Sequence, residues 1–206
     1  MAITYPLNTP NTIGIESIEL RAVNAVATSQ SPFTYKQQVV AHQGQLWEAS
    51  VNIPLVRRDL AGEWKAFLTA LKGPTGTFLL GDPDYAAPRG IASTFPGSPT
   101  ITSQSGETIT VTGASPNKTG WLLAGDYIQI GTGGTATLHQ VLQNANTNNS
   151  GTTTLEIWPG LRSTRSDSII LSNPKGLFRL ASNSSSWSIN SSSAYSISFE
   201  AVEAIV

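Results

Sequence analysis

The sequence predicts a mainly β protein: a split β-barrel with one packed α-helix, interrupted by a small all-β barrel or sandwich domain. Three observations predict this class. Alternating apolar and polar residues recur near both ends of the chain, one amphipathic helical stretch stands among them, and the middle is rich in Thr, Ser, Gly and Asn. We therefore assign residues 1–90 and 175–206 to a base domain and residues 91–174 to an inserted outer domain.

The first elements are an extended segment, a strand and a hairpin. Tyr5 to Thr12 contains two prolines, which favour extended backbone and limit ladder pairing, so the segment is predicted to be a free arm or a sheet edge. Residues 14–26 alternate with the period of a half-buried strand. A second alternating run begins at Phe33, and we expect it to turn at Gln43-Gly44 into a strand over residues 47–55.

One helix is predicted over residues 59–72. Five apolar residues fall on one stripe at helical spacing: Leu60, Trp64, Phe67, Leu68 and Leu71. Asp59 is predicted to cap the helix, and Gly73-Pro74 marks its end. A single amphipathic helix cannot bury its stripe alone, so this helix must pack on the neighbouring strands.

The sequence after the helix predicts further strands. After a short apolar strand at residues 77–80 and a turn-rich exit, the middle contains five candidate strands, at residues 108–111, 127–130, 137–142, 153–157 and 168–171. From Gly176 strong alternation returns, with Tyr195, Ile197, Phe199 and Ala201 on one face. These last strands are expected to rejoin the base domain.

Composition excludes several function classes. Only 12% of residues are charged and the net charge is -1, so the chain lacks the basic clusters that hold nucleic acid through phosphates. With no cysteine, zinc ribbons and thiol nucleophiles are excluded. Met1 to Pro10 does not have the pattern of a signal peptide, and no stretch has the length of a membrane helix, so we expect synthesis in the cytoplasm and no membrane partner.

Catalytic and metal signals are weak, and we predict neither an enzyme nor a cofactor. The two histidines, His42 and His139, fall in predicted strands, where ordinary structural roles are far more common than catalysis. Asp82 and Asp84 flank a proline, a pattern that favours a rigid turn over a calcium site. The glycine-rich stretch at residues 131–135 has no following lysine or helix, so it is predicted to be a hairpin turn.

Tryptophan offers an alternative function. Trp47 and Trp64 lie on predicted core stripes, whereas Trp121, Trp158 and Trp187 are less constrained. Exposed indole rings stack on sugars, so the alternative hypothesis is a carbohydrate-binding module that uses Trp121 and Trp158.

Several sequence segments resemble segments of a known protein family. They are residues 64–68 followed by 72–83, and then residues 125–130, 138–142, 155–162 and 176–180. Together with the element order, they are similar to the distal tail protein of long-tailed bacteriophages, whose base domain shares the barrel-and-helix plan of tail tube proteins. The resemblance covers residues 12–205.

The resemblance implies a structural virion protein that forms a homohexameric ring at the tail tip, or baseplate hub. Its partners would be other copies of itself, the tail tube protein and the tail-tip hub protein, and DNA would only pass through the channel. Unpaired edges of a split barrel need cover, which neighbouring subunits can supply. We expect intersubunit contacts at the N-terminal segment and the Ser/Asn-rich loop, with these candidates: Tyr5, Pro6, Leu7, Pro10, Asn183, Ser186 and Trp187.

Overall fold

The computed structural model describes residues 3–205, in which the chain forms two β-sheets and one α-helix. The first sheet contains Leu7–Asn8 (β1), Ser17–Gln30 (β2), Gln37–Arg57 (β3), Phe78–Leu80 (β4), Gly176–Leu180 (β11), Trp187–Ile189 (β12) and Ala194–Glu203 (β13). The second contains Thr100–Ser105 (β5), Thr108–Thr112 (β6), Tyr127–Ile130 (β7), Thr137–Val141 (β8), Thr153–Trp158 (β9) and Ile169–Ile170 (β10). The predicted fold class is confirmed: a mainly β protein with one helix, a barrel-like first sheet and a second sheet.

The first sheet is built from two separate parts of the chain, β1 to β4 and β11 to β13. Its strand order is β1-β4-β11-β13-β3-β2, with β12 also paired to β13. Strand β4 pairs antiparallel with β11, which places Phe78 opposite Phe178. The chain therefore leaves this sheet after β4 and re-enters it at the adjacent strand, and the whole second sheet is built from the sequence between them. The exact domain boundaries at residues 90 and 175 stay a prediction.

The helix, Arg58–Leu71 (α1), begins and ends one residue before its predicted bounds. It buries Ala61, Trp64, Phe67, Leu68 and Leu71 against β3 and β13, and each large side chain stabilises the fold by roughly 1.5–3 kcal/mol. Two details of the prediction are wrong. Leu60 is 37% exposed, and Arg57 rather than Asp59 occupies the N-cap position, with no side-chain hydrogen bond. Asp59 lies in the first turn, where its charge suits the helix dipole.

The predicted hairpin turn at Gly44 is wrong. Strand β3 continues unbroken through Gly44, and the turn lies at residues 31–36, where Tyr35 N–H donates to the Ser31 carbonyl at 2.9 Å. Gly44 lies instead at an irregularity of the β2–β3 ladder, between the Asn24–Gln45 and Val26–Ala41 pairs. A Cβ atom at Gly44 would meet the Ala25 Cβ at 2.9 Å, so the close approach of the two strands explains the glycine.

The second sheet has the strand order β10-β7-β8-β9-β6-β5. All five strands predicted in the middle of the chain are present, as β6 to β10. Strand β5 was not predicted, because Ile101 is its single buried residue and its other side chains are mostly small and polar. The core behind this sheet contains Trp121, Ile128 and Leu155, each at most 1% exposed.

The two sheets share an aromatic contact. The Trp158 ring lies edge-on to Trp47, with ring centroids 4.5 Å apart, and Tyr127 lies 5.9 Å from Trp47. The Trp47 Nε1–H also donates to the Leu138 carbonyl at 3.0 Å. The second sheet therefore packs directly on β3, in addition to its two covalent connections to the first sheet.

Candidate assembly surface

The end of the β2–β3 hairpin, residues 25–44, extends beyond the body of the protein, and we call it the hairpin arm. Every residue of the arm except Ser31 is exposed. Beyond the Asn24–Gln45 pair the strands run about 20 Å further, at 3.3 Å per residue. A two-stranded hairpin is marginally stable alone in water, so an extension of this length needs a third element to cover it.

The arm is apolar and nearly uncharged. Its exposed large side chains are Val26 at 48%, Phe33 at 92%, Tyr35 at 75%, Val39 at 58% and Val40 at 46% exposure. Lys36 is the one Lys, Arg, Asp or Glu residue among its 20 positions. The register pairs Thr28 with Val39 and Ala27 with Val40, so both faces of the ribbon carry a valine. Sequence reasoning missed the arm because it placed the turn at Gly44.

The base of the arm is fixed by the second sheet. The Asn24 Oδ1 accepts a hydrogen bond from Trp158 Nε1–H at 2.8 Å. Gln45 accepts from the Gly160 N–H at 2.8 Å through its side-chain oxygen and from Arg162 Nη2–H at 2.7 Å through its carbonyl. The arm therefore starts from a rigid platform and not from a flexible loop.

An ion pair with a buried carboxylate reinforces this platform. Arg162 donates from Nη1 and Nη2 to the two carboxylate oxygens of Glu203, at 2.7 and 2.8 Å. The Glu203 side chain is 2% exposed and also accepts from the Trp47 N–H at 3.1 Å. Because this pair joins the loop after β9 to the last strand of the first sheet, it ties the two sheets together.

The first sheet also has unlike unpaired edges. Among the described residues, β2 pairs only with β3, and β12 pairs only with β13, so the section β12-β13-β3-β2 has a free edge on each side. The β12 edge carries Trp187 and Ile189, which are 39% and 57% exposed. The Lys65 ammonium of α1 lies 5.6 Å from the Trp187 ring centroid. This section of the sheet thus offers two different edges to neighbours.

The face of this sheet turned away from α1 is polar and is called the polar face below. Its cross-strand rows are Ser17, Asn52 and Ser198, and then Glu19, Ser50 and Glu200. Apart from the half-buried Ser50, these side chains are exposed. Small hydroxyl, amide and carboxylate groups therefore cover it, with Arg21 at one end bridging Glu19 and Glu48 at 3.8 and 4.0 Å.

The predicted N-terminal contact residues lie on the chain's own body. Tyr5 is half-buried, and its hydroxyl donates to the Ala70 carbonyl of α1 at 2.6 Å. Leu7 lies in β1, which pairs in parallel with β4 and forms the edge of the sheet. Of the two readings offered by the sequence, the edge is therefore correct and the free arm is wrong. Pro6 and Pro10 are half-buried; whether these four residues contact a neighbour stays a prediction.

The other predicted contact residues lie near β12. Residues 181–186 form the connection between β11 and β12, and Asn183 and Ser186 are exposed in it. Trp187 follows on the free β12 edge. These residues are open to a neighbour, but their role in an interface also stays a prediction.

The two tryptophans proposed for sugar binding are buried. Trp121 is 0% exposed in the core of the second sheet, and its Nε1–H donates to the Phe95 carbonyl at 3.1 Å. Trp158 is 8% exposed between the two sheets. Neither ring has a face open to a ligand, so the description of Trp121 and Trp158 as exposed platforms is wrong, and the carbohydrate alternative loses its supporting observation.

Two buried groups, His139 and Tyr127, have shifted pKa values. His139 is 1% exposed; its Nδ1–H donates to the Pro159 carbonyl at 2.6 Å and its Nε2 accepts from the Thr137 hydroxyl at 2.8 Å. Burial lowers the pKa of His139 to about 4, so the ring is neutral. Burial, with the nearby Asp82 charge, raises the pKa of Tyr127 to about 12. His42 is exposed on the arm.

The two segments with weak metal-binding and phosphate-binding patterns form turns. The Asp82 carboxylate accepts from the Asp84 N–H at 3.0 Å and caps a single 3₁₀ turn. Residues 131–136 connect β7 to β8 through another 3₁₀ turn, as the hairpin prediction requires. In the described part of the chain, no group of three His, Asp or Glu side chains could hold a metal ion.

No protein-family model matches this chain, and no curated protein matches it. None of the helices in residues 3–205 is long and apolar enough to cross a membrane.

Proposed function

We propose that this chain is a non-enzymatic structural subunit of a phage tail tip, where it forms a homohexameric ring between the tail tube protein and the tail-tip hub protein. One observation carries the assembly part of the proposal. The section β12-β13-β3-β2 of the first sheet has two unlike free edges among the described residues, and β2 continues into an apolar arm. The tail-tip location, the partners and the number six rest on the sequence resemblance.

Unlike edges favour a ring over a simple dimer. When the β2 side of one copy contacts a different surface of the next copy, the contact is heterologous, and it closes into a ring if the rotation allows. Long unpaired edges invite uncontrolled association, and ring closure gives every edge a neighbour. The low charge of the chain, 12% of residues, suits surfaces that neighbours cover.

The polar face suits a channel through which DNA passes. In this proposal its Ser, Asn and Glu side chains, including Glu19 and Glu200, line the central hole. Such a wall offers phosphates almost no cationic partners, so DNA is not held by the contacts that give nucleic-acid affinity. The compact second sheet then projects away from the hole as the outer unit.

The test is the assembly state of the purified protein. Light scattering coupled to size exclusion, over a concentration series, is expected to give a species of six times the chain mass, and negative-stain images are expected to give a ring with a central hole. A chain that stays monomeric at every concentration would contradict the proposal. A titration with host glycans, followed by tryptophan fluorescence, is expected to give a flat response.

A further inference from the structure

We propose that the hairpin arm of each subunit is buried against the neighbouring copy of this chain, on a surface of that copy outside its own arm. This inference rests on the proposed ring, and it names the contact that holds the ring together. It assigns to residues 25–44 the role that the sequence pointed to in the N-terminal segment and the Ser/Asn-rich loop.

The described part of the chain leaves its own arm uncovered. Phe33 and Tyr35 at the turn are 92% and 75% exposed, and Val26 and Val39 on one face of the ribbon are 48% and 58% exposed. Four apolar or aromatic side chains on one uncovered ribbon are a liability in water. Aromatic residues and few charges are also what distinguishes the buried centre of protein interfaces.

The charge pattern favours a second copy as the occupant. With Lys36 as its single charged Lys, Arg, Asp or Glu side chain, the arm has no electrostatic means of selecting an acidic, basic or nucleic-acid partner. It matches a neutral surface, and this chain, with 12% charged residues, presents such surfaces itself. The exposed Trp187 and Ile189 on the β12 edge are one example.

The geometry lets one neighbour contact both the body and the arm. Among residues 3–205, nothing pairs with the outer edge of β2 along its whole length, from the body at Ser17 to the end of the arm at Gln30. A neighbour that meets this edge in the body is therefore also met by the arm. The anchor formed by Asn24, Gln45 and Trp158 fixes the direction of the arm before assembly, which reduces the entropy lost on association.

The first experiment replaces Phe33, Tyr35 and Val39 with serine in the full-length chain. Because these side chains are exposed in one copy, the variant is expected to fold and unfold like the wild type. Its association midpoint in light scattering is expected to rise about tenfold or more in protein concentration. Leu142→Ser is the matched control: Leu142 is 42% exposed on the second sheet, and its replacement is expected to leave assembly unchanged.

The second experiment maps the contact with a photo-crosslinking benzoylphenylalanine at position 33. Crosslinks from position 33 to residues of another copy outside 25–44 are expected. Crosslinks between two arms would overturn the heterologous contact, and assembled rings without intermolecular crosslinks would overturn any contact at the arm tip. If the serine variant forms rings as readily as the wild type, the inference is wrong while the ring proposal stands. A wild-type monomer at all concentrations would contradict both.

Discussion

Lowering the pH below 7 is expected to destabilise the fold through His139. The ring is buried, both nitrogens are engaged by neutral partners, and burial lowers its pKa to about 4. In the unfolded chain the same imidazole has its ordinary pKa of about 6.5. The unfolded state therefore binds more protons between about pH 4 and pH 6.5, so stability falls as the pH falls through this window.

The size of the effect follows from the two pKa values. Between pH 7 and pH 5.5 the free energy of unfolding is expected to fall by about 1 kcal/mol, and by pH 4.5 the loss reaches about 2 kcal/mol. The first figure depends almost only on the unfolded state, because the folded ring, with a pKa of about 4, stays neutral at pH 5.5.

Urea unfolding at pH 7 and pH 5.5, at one fixed protein concentration, measures this difference. His139→Asn keeps an amide N–H that can donate to the Pro159 carbonyl but removes the titrating group, so its pH dependence is expected to shrink by about 1 kcal/mol. Replacing the exposed His42 with Gln is the control, and it is expected to leave the difference as in the wild type. An unchanged pH dependence in His139→Asn would refute the reasoning.

Three further substitutions test contacts between the two sheets, within the second sheet and within the arm. Arg162→Ala is expected to cost about 2–3 kcal/mol in urea unfolding, because it leaves the Glu203 carboxylate buried without its cation; adding Glu203→Gln is expected to recover part of the loss. Asp126→Asn is expected to cost about 2–3 kcal/mol, since the fully buried carboxylate accepts three backbone N–H groups and an amide would turn a donor toward one of them. Gly44→Ala is expected to speed hydrogen exchange of the arm amides about tenfold by forcing β2 and β3 apart, with Ala25→Gly restoring the wild-type rate.

The sequence could predict most of the fold because each face of the sheets has its own chemistry. The alternation of Tyr195, Ile197 and Phe199 predicts an inward face, and all three are at most 8% exposed in β13. The helical spacing of the apolar residues in α1 likewise predicts its buried face. These features depend on period alone, and period is a local property of the chain.

The exposed hairpin arm was harder to predict, because an alternating pattern does not show whether another part of the protein covers the apolar face of a strand. Val39 and Val51 are both valines of β3, yet Val39 is 58% exposed and Val51 is 0% exposed. Their surroundings are set by where β13 ends and by what packs on the sheet, which are long-range facts. The turn-forming Ser31-Pro32 pair was the signal that could have moved the predicted turn away from Gly44, since proline fixes φ at the first position of a turn.

The arm and the second sheet are held by the same few residues. Gln45 bonds to both Gly160 and Arg162, and Asn24 bonds to Trp158, so the point where the arm leaves the body is also the point where the second sheet is fastened. A contact that orients the arm on a neighbour must therefore orient the second sheet as well. In a ring built through the arms, the outer units would project at one common angle, set by packing at Trp47 and by the Arg162–Glu203 pair. Loosening that pair is thus expected to blur the outer units in images while the centre of the ring stays sharp.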